Sequence, residues 1–385
     1  MLDAFDLDPA IVHLNHGSFG TVPRPVSEAQ AAFRARAEAN PMRFFRVESD
    51  GLKERARHVA AGFLGVGPDE VALVRNVTQA TAVVLSGLAA QGRLGEGDTI
   101  VLGEQGYESV RRTVSHWCAR TGASYAVVRQ PVGADAAAVV ESFDVAFADL
   151  TEGGDRIALV ITDHITSPTG TVMPAPEICA LAREIGALSF VDAAHVPGQL
   201  PAAPGEVGAD FWTGTWHKWG FAPRGTSALW VTEAERATTV PLTTSWNHGM
   251  PFPLPFDTSG TDDYSGWFAL EAALDFWRQA GGPKIAERSA ELLDKGAAVV
   301  AGALPEAEVR LPVHPAPALR LVGLPDGVAT TLEDADVLYR RLSGLGLEVQ
   351  VTPYDGRGWI RLSGAVYNRP ADYERLAEVL PAALA

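Results

Sequence analysis

Short β-rich runs alternate with stretches of helical period between about residues 70 and 232, and this alternation is the strongest constraint on the fold. It predicts an α/β architecture with a mainly parallel sheet covered by helices on both faces. Ligands of such sheets bind at the carboxyl ends of the strands, so functional residues are expected there. The predicted strands are residues 71–74, 99–102, 124–128, 157–162, 188–192 and 227–231, and the predicted helices include 79–88, 110–120 and 176–185.

The pattern changes after about residue 282, where the alternation of β-rich runs and helices loses its regularity. A long helical pattern over 264–280 comes first. The elements predicted after it are helix 284–303, strand 318–322, helix 335–345, strands 348–352 and 359–362, and helix 371–383. We interpret this part as a smaller α+β domain. The expected division is a large domain of residues 16–260 and a small domain of residues 261–385. An N-terminal arm of residues 1–15 is expected to belong to the small domain.

Charge and composition exclude several classes of function. The chain has 385 residues and a formal net charge of -16, which argues against binding to nucleic acid or to an anionic membrane. No apolar run approaches the roughly 20 residues that a membrane span needs, and the N-terminus lacks the basic and apolar regions of a signal peptide. Cys118 and Cys179 have no CxxC partner, so neither a disulfide framework nor a metal site is expected, and a cytoplasmic location is predicted.

One lysine differs from the other three. Lys53, Lys284 and Lys295 lie in charged amphipathic patterns, which predict solvated helix faces. Lys218 instead lies among aromatic residues directly after the predicted strand 210–213. Burial among apolar groups lowers the pKa of an ammonium group, as a lysine that forms a Schiff base requires. The alternative is a lysine that extends over an aromatic surface with its charge in water.

Asp192 ends the apolar strand 188–192, at the predicted carboxyl edge of the sheet. A carboxylate there can pair with a pyridinium nitrogen and keep the ring protonated as an electron sink. Taken alone, Asp192 is better explained by a turn or a helix cap. His195 follows closely enough to contact the same ligand.

Two polar loops complete this edge. Residues 75–81 pass from a strand through a turn into a helix, whose free amides favour a phosphate, with the Thr78 hydroxyl as a further donor. Residues 163–170 offer hydroxyls and an imidazole after another strand. Each loop alone is explained by capping or by a turn. Their order, together with Lys218 and Asp192, indicates an enzyme dependent on pyridoxal 5'-phosphate (PLP).

The motifs together resemble the class V fold-type I PLP-dependent enzymes, most closely the isopenicillin N epimerase-like branch. The likeness runs from about residue 11 to the C-terminus. The motifs that carry it are residues 14–20, 23–25, 40–46, 76–80, 164–170, 192–198, 217–225, 260–261 and 361–368. The resemblance implies the fold-type I PLP-dependent transferase fold, with a mainly parallel sheet in the large domain and a small C-terminal α+β domain. It also implies a homodimer with active sites at the subunit interface.

The resemblance also implies a role for each matching residue in binding PLP. Lys218 is expected to form the internal aldimine, Asp192 to pair with the pyridine nitrogen, and His195 and Ser167 to lie near the phenolic oxygen. The residues expected at the phosphate are Val77, Thr78, Thr215 and His217, with Gly260 and Thr261 contributed by the partner subunit.

Further residues are expected at the substrate. Arg361 is expected to bind the α-carboxylate, and His16 and Arg43 lie in segments that approach the substrate in this branch. One departure concerns the ring: where relatives carry a stacking histidine, this chain has Gln105, so either Gln105 or Tyr107 covers the ring. Residues 343–349 contain no cysteine, which argues against a desulfurase that works through a persulfide.

The expected function is an amino-acid epimerase of secondary metabolism, acting at Cα of an amino acid or a small peptide-like substrate by way of a quinonoid. Lys218 is the natural base on one face of the substrate. The second proton donor stays open between Tyr107, His16 and an ordered water. The alternatives are a β-eliminating C–S lyase, an aminotransferase and a catalytically silent binding protein, although the intact Lys218, Asp192 and Arg361 argue against the last.

Overall fold

A mainly parallel sheet forms the centre of the computed structural model, which describes residues 1–130, 132–304, 309–310 and 314–384. The strands are Val12–His13 (β1), Val71–Val74 (β2), Asp98–Gly103 (β3), Ser124–Val128 (β4), Arg156–Asp163 (β5), Leu188–Ala193 (β6), Phe211–Thr215 (β7), Ser227–Val231 (β8), Val309–Arg310 (β9), Leu319–Gly323 (β10), Leu347–Glu348 (β11), Gln350–Tyr354 (β12) and Arg357–Ser363 (β13).

Helices cover the sheet and fill the connections. The α-helices are His16–Phe19 (α1), Arg24–Ala39 (α2), Pro41–Arg43 (α3), Ser49–Leu64 (α4), Val77–Ala90 (α5), Glu108–Thr121 (α6), Ala136–Glu152 (α7), Ala175–Glu184 (α8), Pro204–Val207 (α9), Glu233–Arg236 (α10), Ser265–Phe268 (α11), Leu270–Ala280 (α12), Lys284–Gly302 (α13), Leu332–Gly344 (α14) and Pro370–Leu384 (α15). Turns of 3-10 helix span Leu2–Ala4, Pro68–Glu70 and Leu254–Asp257, and a π-helical turn spans Phe44–Glu48. No helix in the described ranges is both long and apolar enough to cross a bilayer.

The central sheet has the strand order β2-β8-β7-β6-β5-β3-β4. Strands β7, β6, β5, β3 and β4 are parallel to one another, whereas β8 runs antiparallel to both of its neighbours. The predicted α/β class with a mainly parallel sheet is therefore confirmed. Because parallel strands end at the same edge, the loops after β3, β5, β6 and β7 lie side by side.

The inner strands of this sheet are largely apolar because helices cover both faces. Every residue of β2, β3, β7 and β8 is buried. Packing is tight enough that Gly214 in β7 leaves no room for a side chain. A Cβ atom there would lie 2.2 Å from the Trp212 ring and 2.8 Å from Pro197, so glycine is required at this position.

A second sheet, with the order β12-β13-β10-β9, lies in the C-terminal part of the chain and is antiparallel. The N-terminal strand β1 joins this part through parallel pairing with β11. Leu14, just after β1, is buried in one cluster with Leu293 and Leu376. By contrast, Leu270 and Leu274 of α12 pack in the cluster of the large sheet. The exact division at residues 260–261 stays a prediction.

Three local predictions differ from the structure. The helical pattern over 264–280 forms two helices, α11 and α12, which are separated at Ala269. The single strand predicted over 348–352 is two strands, because β11 pairs with β1 whereas β12 pairs with β13. Helix α7 was not predicted. Periodicity along the chain does not reveal which partner each residue has, and that partner decides where an element ends.

Lys53 is a correction to the sequence analysis, which placed it on a solvated helix face. The residue is only 4% exposed. Its Nζ lies 3.3 Å from Asp50 Oδ1, 3.2 Å from Thr258 Oγ1 and 4.6 Å from the centre of the Tyr264 ring. The charged pattern of α4 predicted that this helix face is exposed to solvent. In the structure the segment around Thr258 packs over this face, and a pattern along one helix cannot show such a contact.

One turn further along α4, Arg57 forms a buried ion pair with Asp257. Removing one partner of such a pair leaves an uncompensated buried charge. We therefore expect Asp257→Asn to lower the free energy of unfolding by about 3 to 5 kcal/mol, measured from denaturant unfolding curves.

The matched control is the exposed ion pair between Arg55 and Glu271, also formed by α4. Because water screens exposed charges, Glu271→Gln should change the free energy of unfolding by less than about 1 kcal/mol. An equal effect of the two substitutions would contradict a stabilising role for the buried pair.

Candidate active site

A cavity of about 760 Å³ opens at the carboxyl edge of the parallel strands. The predicted site residues that line it are Val77, Thr78, Tyr107, Ser167, Asp192, His195, Thr215, His217, Lys218 and Arg361. The predicted residues that are not part of this lining are His16, Arg43, Gln105 and Thr261. The lining residues are far apart in the sequence, and the parallel sheet brings them together because they follow different strands.

Lys218 lies three residues after β7 and its side chain reaches the cavity. Loss of solvent around the amine lowers the pKa of Lys218 to about 8, and the Arg361 guanidinium acts in the same direction. The nearby carboxylates of Asp192 and Asp163 oppose this shift. Near neutral pH about a tenth of the amine is therefore neutral, and a neutral amine can attack a carbonyl group.

Asp192 lies at the end of β6, where one carboxylate oxygen accepts a hydrogen bond of 2.9 Å from the Ala194 amide. Asp163 ends β5 in direct register with Asp192, and its carboxyl group lines the same cavity. Asp163 begins one of the polar loops identified from the sequence, but it was not predicted as a site residue. Only its position at the end of a strand indicated a role, because the sequence does not show which residue lies beside it in the sheet.

Two ionised carboxylates that are buried side by side repel each other, so ionising both costs free energy. Burial and the negative charge of Asp192 raise the pKa of Asp163 well above its usual range. Burial also raises the pKa of Asp192, although the Ala194 amide and the Lys218 charge oppose this. Asp163, whose pKa is raised further, is therefore the better proton holder of the two, and Asp192 is the more acidic group.

His195 contacts Lys218 directly, with 3.0 Å between His195 Nε2 and Lys218 Nζ. Its other ring nitrogen, Nδ1, accepts a hydrogen bond of 3.2 Å from the indole of Trp219. Burial lowers the pKa of His195 well below its usual range, and the charge on Lys218 adds to this. The imidazole is therefore neutral.

Another part of the cavity lining has the features of a phosphate site. Helix α5 begins there, with the Asn76 side chain accepting a 2.9 Å hydrogen bond from the Gln79 amide. The Thr78 hydroxyl lies 3.0 Å from Ser109 Oγ and lines the cavity. Nδ1 of His217 is buried and has no hydrogen-bond partner among the described residues. Helix amides, a hydroxyl and an unpaired imidazole nitrogen are suitable donors for a phosphate.

Arg361 reaches the cavity from β13 of the second sheet. One Nη atom donates to the Ser167 carbonyl, and the other donates to Asn15 Oδ1 at 3.1 Å and to Ser18 Oγ at 3.0 Å. Burial lowers the pKa of Arg361 to about 10, so the guanidinium keeps its charge at neutral pH. Sequence analysis did not select Asn15 or Ser18, although both lie within the first motif of the resemblance.

Gln105 and Tyr107 occupy different places, although both follow β3. Gln105 is buried behind the cavity, where its amide donates to the Gln130 carbonyl at 2.7 Å and accepts from the Thr169 hydroxyl. Tyr107 lines the cavity and is 46% exposed. Since the Gln105 amide is already satisfied elsewhere, Tyr107 is the better candidate to cover a bound ring.

His16 lies beneath the cavity floor, where its Nε2 is 2.8 Å from the Lys218 carbonyl oxygen and its Nδ1 is 3.2 Å from the Tyr367 hydroxyl. Burial lowers the pKa of His16 to about 4. A carbonyl can only accept, so His16 Nε2 donates and the residue anchors the backbone of Lys218. This contact uses the imidazole for support and not for substrate.

Arg43 and Thr261 are both exposed in the single chain. Arg43 forms an ion pair of 3.0 Å with Glu48. Next to Thr261, Asp262 pairs with Arg75, which itself lines the cavity. The expected roles of Arg43 at the substrate and of Thr261 in a partner subunit stay predictions.

The residues of this cavity fit PLP. A lysine with a lowered pKa can bind the aldehyde, the Asp192 carboxylate can face the ring nitrogen, and the donors around Thr78 and His217 can hold the phosphate. These three sets of groups line one cavity, as a cofactor with three different functional groups requires.

Comparisons with known proteins agree with this fit. The family model described as aminotransferase class-V matches residues 18–376. The chain is 32% identical to isopenicillin N epimerase from Amycolatopsis lactamdurans, over 97% of this chain and 95% of that protein. It is 27% identical to L-cysteine desulfhydrase from Arabidopsis thaliana, over 99% of this chain and 91% of that protein.

Among solved structures, the chain is similar to the cystine C–S lyase C-DES in complex with cysteine persulfide, with a TM-score of 0.79 and 21% identity over 96% of this chain and 97% of that chain. It is also similar to a lysine-to-alanine variant of C-DES with glycine covalently linked to the PLP cofactor, with a TM-score of 0.80 and 22% identity over 99% and 98% of the two chains. At these identities the likeness concerns the fold. The family match over nearly the whole length shows that this chain belongs to the class V aminotransferase family of PLP-dependent enzymes.

Proposed function

We propose that this chain is a PLP-dependent epimerase that inverts Cα of an amino acid or a small peptide-like substrate. The observation that carries the proposal is that two proton-carrying side chains, Lys218 and Tyr107, line one cavity. Lys218 follows β7 and Tyr107 follows β3, while Asp192 ends β6 between them in the strand order. Inversion needs one group that removes the Cα proton and a second group that returns a proton from the other side.

Different residues remove the Cα proton and return a proton to Cα. When bound, PLP draws into its ring the electron pair that the departing proton leaves on Cα. Asp192 supports this by keeping the ring nitrogen protonated. Lys218 takes the Cα proton onto Nζ, and Tyr107 gives its hydroxyl proton to Cα from the other side. Tyr107 regains a proton from solvent, to which it is open.

Arg361 orients the substrate through its α-carboxylate. A planar guanidinium can form two charge-assisted hydrogen bonds with a carboxylate. The contacts from Asn15, Ser18 and the Ser167 carbonyl hold the guanidinium at the cavity wall before substrate arrives. Because the side chain is already ordered in the folded protein, substrate binding loses little conformational entropy at Arg361.

A β-eliminating C–S lyase is the second candidate. The relative from Arabidopsis thaliana is an L-cysteine desulfhydrase, and elimination needs a base such as Lys218 but no proton donor on the other face of Cα. Cys118 and Cys179 are both buried in the hydrophobic clusters and do not line the cavity. Such a lyase would therefore release sulfur without an enzyme persulfide on either residue.

The first prediction concerns the residue that carries PLP. Borohydride reduction of the yellow holoenzyme should fix PLP on Lys218, because its amine has the lowered pKa and faces the cavity. Peptide mapping by mass spectrometry locates the label. Lys218→Ala should lower turnover by roughly 10²- to 10⁴-fold or more, since it removes a general base. The exposed Lys295 provides the control variant Lys295→Ala; a label on Lys53, Lys284 or Lys295 would rule the assignment out.

The second prediction separates epimerisation from its alternatives. In deuterated water, wild-type enzyme should bring deuterium into Cα and yield both configurations, without keto acid or ammonia. Tyr107→Phe should still exchange the Cα proton of one enantiomer through Lys218, but it should lose inversion, because the second proton donor is gone. Chiral chromatography and mass spectrometry measure the two quantities separately.

Other products would contradict the epimerase. A keto acid with ammonia and a sulfur product would identify the lyase, and pyridoxamine phosphate would identify an aminotransferase. A catalytically silent protein would show no exchange at all. Unchanged inversion in Tyr107→Phe would show that another group returns the proton.

The third prediction compares two arginines. Arg361→Ala should weaken substrate binding by about 2 to 4 kcal/mol, because it removes a charge-assisted contact, while the visible spectrum of bound PLP stays unchanged. Arg43 is exposed and paired with Glu48, so Arg43→Ala should have a much smaller effect on binding. Spectral titration with substrate measures both. The opposite order would mean that Arg43 holds the carboxylate.

A further inference from the structure

Three buried or partly buried side chains form a hydrogen-bonded chain that begins in the cavity lining with Lys218 and His195 and ends at Trp219. The Trp219 indole donates to His195 Nδ1 at 3.2 Å, and His195 Nε2 lies 3.0 Å from Lys218 Nζ. Trp219 does not line the cavity itself. The Trp219 indole N–H reaches Lys218 Nζ through His195.

The chemistry of the indole fixes the direction of this chain. An indole N–H is a donor and never an acceptor, so His195 Nδ1 must present its lone pair to it. A neutral imidazole carries one proton, which then lies on Nε2. The imidazole is neutral because burial lowers its pKa, and the nearby cationic groups of Lys218 and Arg361 add to this.

We infer that Trp219 is a positioning residue that fixes His195 as the Nε2–H tautomer, so that His195 donates a hydrogen bond to the neutral amine of Lys218. An N–H group can bind the lone pair of a neutral amine, but it cannot accept a hydrogen bond from an ammonium group. Trp219 thus favours the neutral form of Lys218, which is the form that attacks the PLP aldehyde. This inference rests on the proposed role of Lys218.

Other charged groups around Lys218 come from separate elements, and none of them is hydrogen-bonded to the Trp219 indole. Asp192 on β6 and Asp163 on β5 favour the ammonium form, whereas Arg361 on β13 disfavours it. Without the indole, His195 Nδ1 is free to take the proton. Its Nε2 can then accept a hydrogen bond from the ammonium group, so the pKa of Lys218 should rise.

Trp216 provides a matched control in the same loop. Its ring is fully buried, and its indole nitrogen has no hydrogen-bond partner among the described residues. Trp216→Phe therefore makes the same change in ring size as Trp219→Phe, without removing a hydrogen bond. Trp219→Phe also keeps an aromatic ring against His16, whose ring lies 5.2 Å away.

The test measures how fast the full-length protein, freed of PLP, takes up added PLP as a function of pH. Uptake requires the neutral amine, so the rate should rise with pH to a midpoint near 8, the pKa of Lys218. Trp219→Phe should move this midpoint up by roughly half a pH unit to one pH unit, as expected for one lost hydrogen bond. Trp216→Phe should leave the midpoint unchanged. Equal shifts in both variants, or no shift in Trp219→Phe, would overturn the inference.

A second measurement needs no tryptophan variant. Nitrogen-15 NMR of the holoenzyme with labelled histidine identifies the protonated ring nitrogen of His195, assigned by comparison with His195→Asn. A proton on Nε2 supports the inference, and a proton on Nδ1 overturns it. The borohydride label decides the role of Lys218 independently, so a failure of that role and a failure of the tautomer can be told apart.

Discussion

In-register parallel pairing of β5, β6 and β7 is the constraint on which the site depends. It places Asp163 beside Asp192, and Asp192 beside Thr213, so that the loop carrying Lys218 begins next to both carboxyl groups. A shift of one residue in any of these strands would turn its side chains to the other face of the sheet. The tightly buried apolar strands, and the lack of space at Gly214, make such a shift costly. The packing of the sheet therefore sets the geometry of the site.

Loss of solvent at this edge determines the charge state of each group. It lowers the pKa of Lys218 to about 8, keeps the imidazoles of His195 and His217 neutral, and raises the pKa of Asp163. The cavity therefore offers a carboxylate on Asp192 and a positive charge on Arg361, beside a Lys218 amine that is partly neutral. The Asp192 carboxylate suits the ring nitrogen of PLP, and the Arg361 guanidinium suits the carboxylate of an amino acid. Loss of solvent thus adjusts the groups that face the cofactor and those that face the substrate.

Much of the fold was predictable from sequence because it rests on local patterns. Strands are short β-rich runs between turns, and the strands of residues 71–74, 124–128 and 227–231 were predicted with the bounds that the structure has. Lys218 and Asp192 were also recognisable, since an unusual lysine among aromatics and an acid at a strand end are local features. The resemblance then supplied roles for residues such as Thr78 and Arg361, and the cavity brings these residues together.

The sequence by itself determined the α/β class, the family and the residues that follow the strands, because periodicity and motifs involve residues that are close together in the chain. Only the tertiary structure decided which side chains face one another across it. It buried Lys53 under the segment around Thr258, turned Gln105 away from the cavity while leaving Tyr107 in it, and placed His16 against the Lys218 backbone. It also paired Asp163 with Asp192 and Trp219 with His195. These contacts join residues distant in sequence, and the free energy of a buried polar group depends on its partners in space and not on its neighbours along the chain.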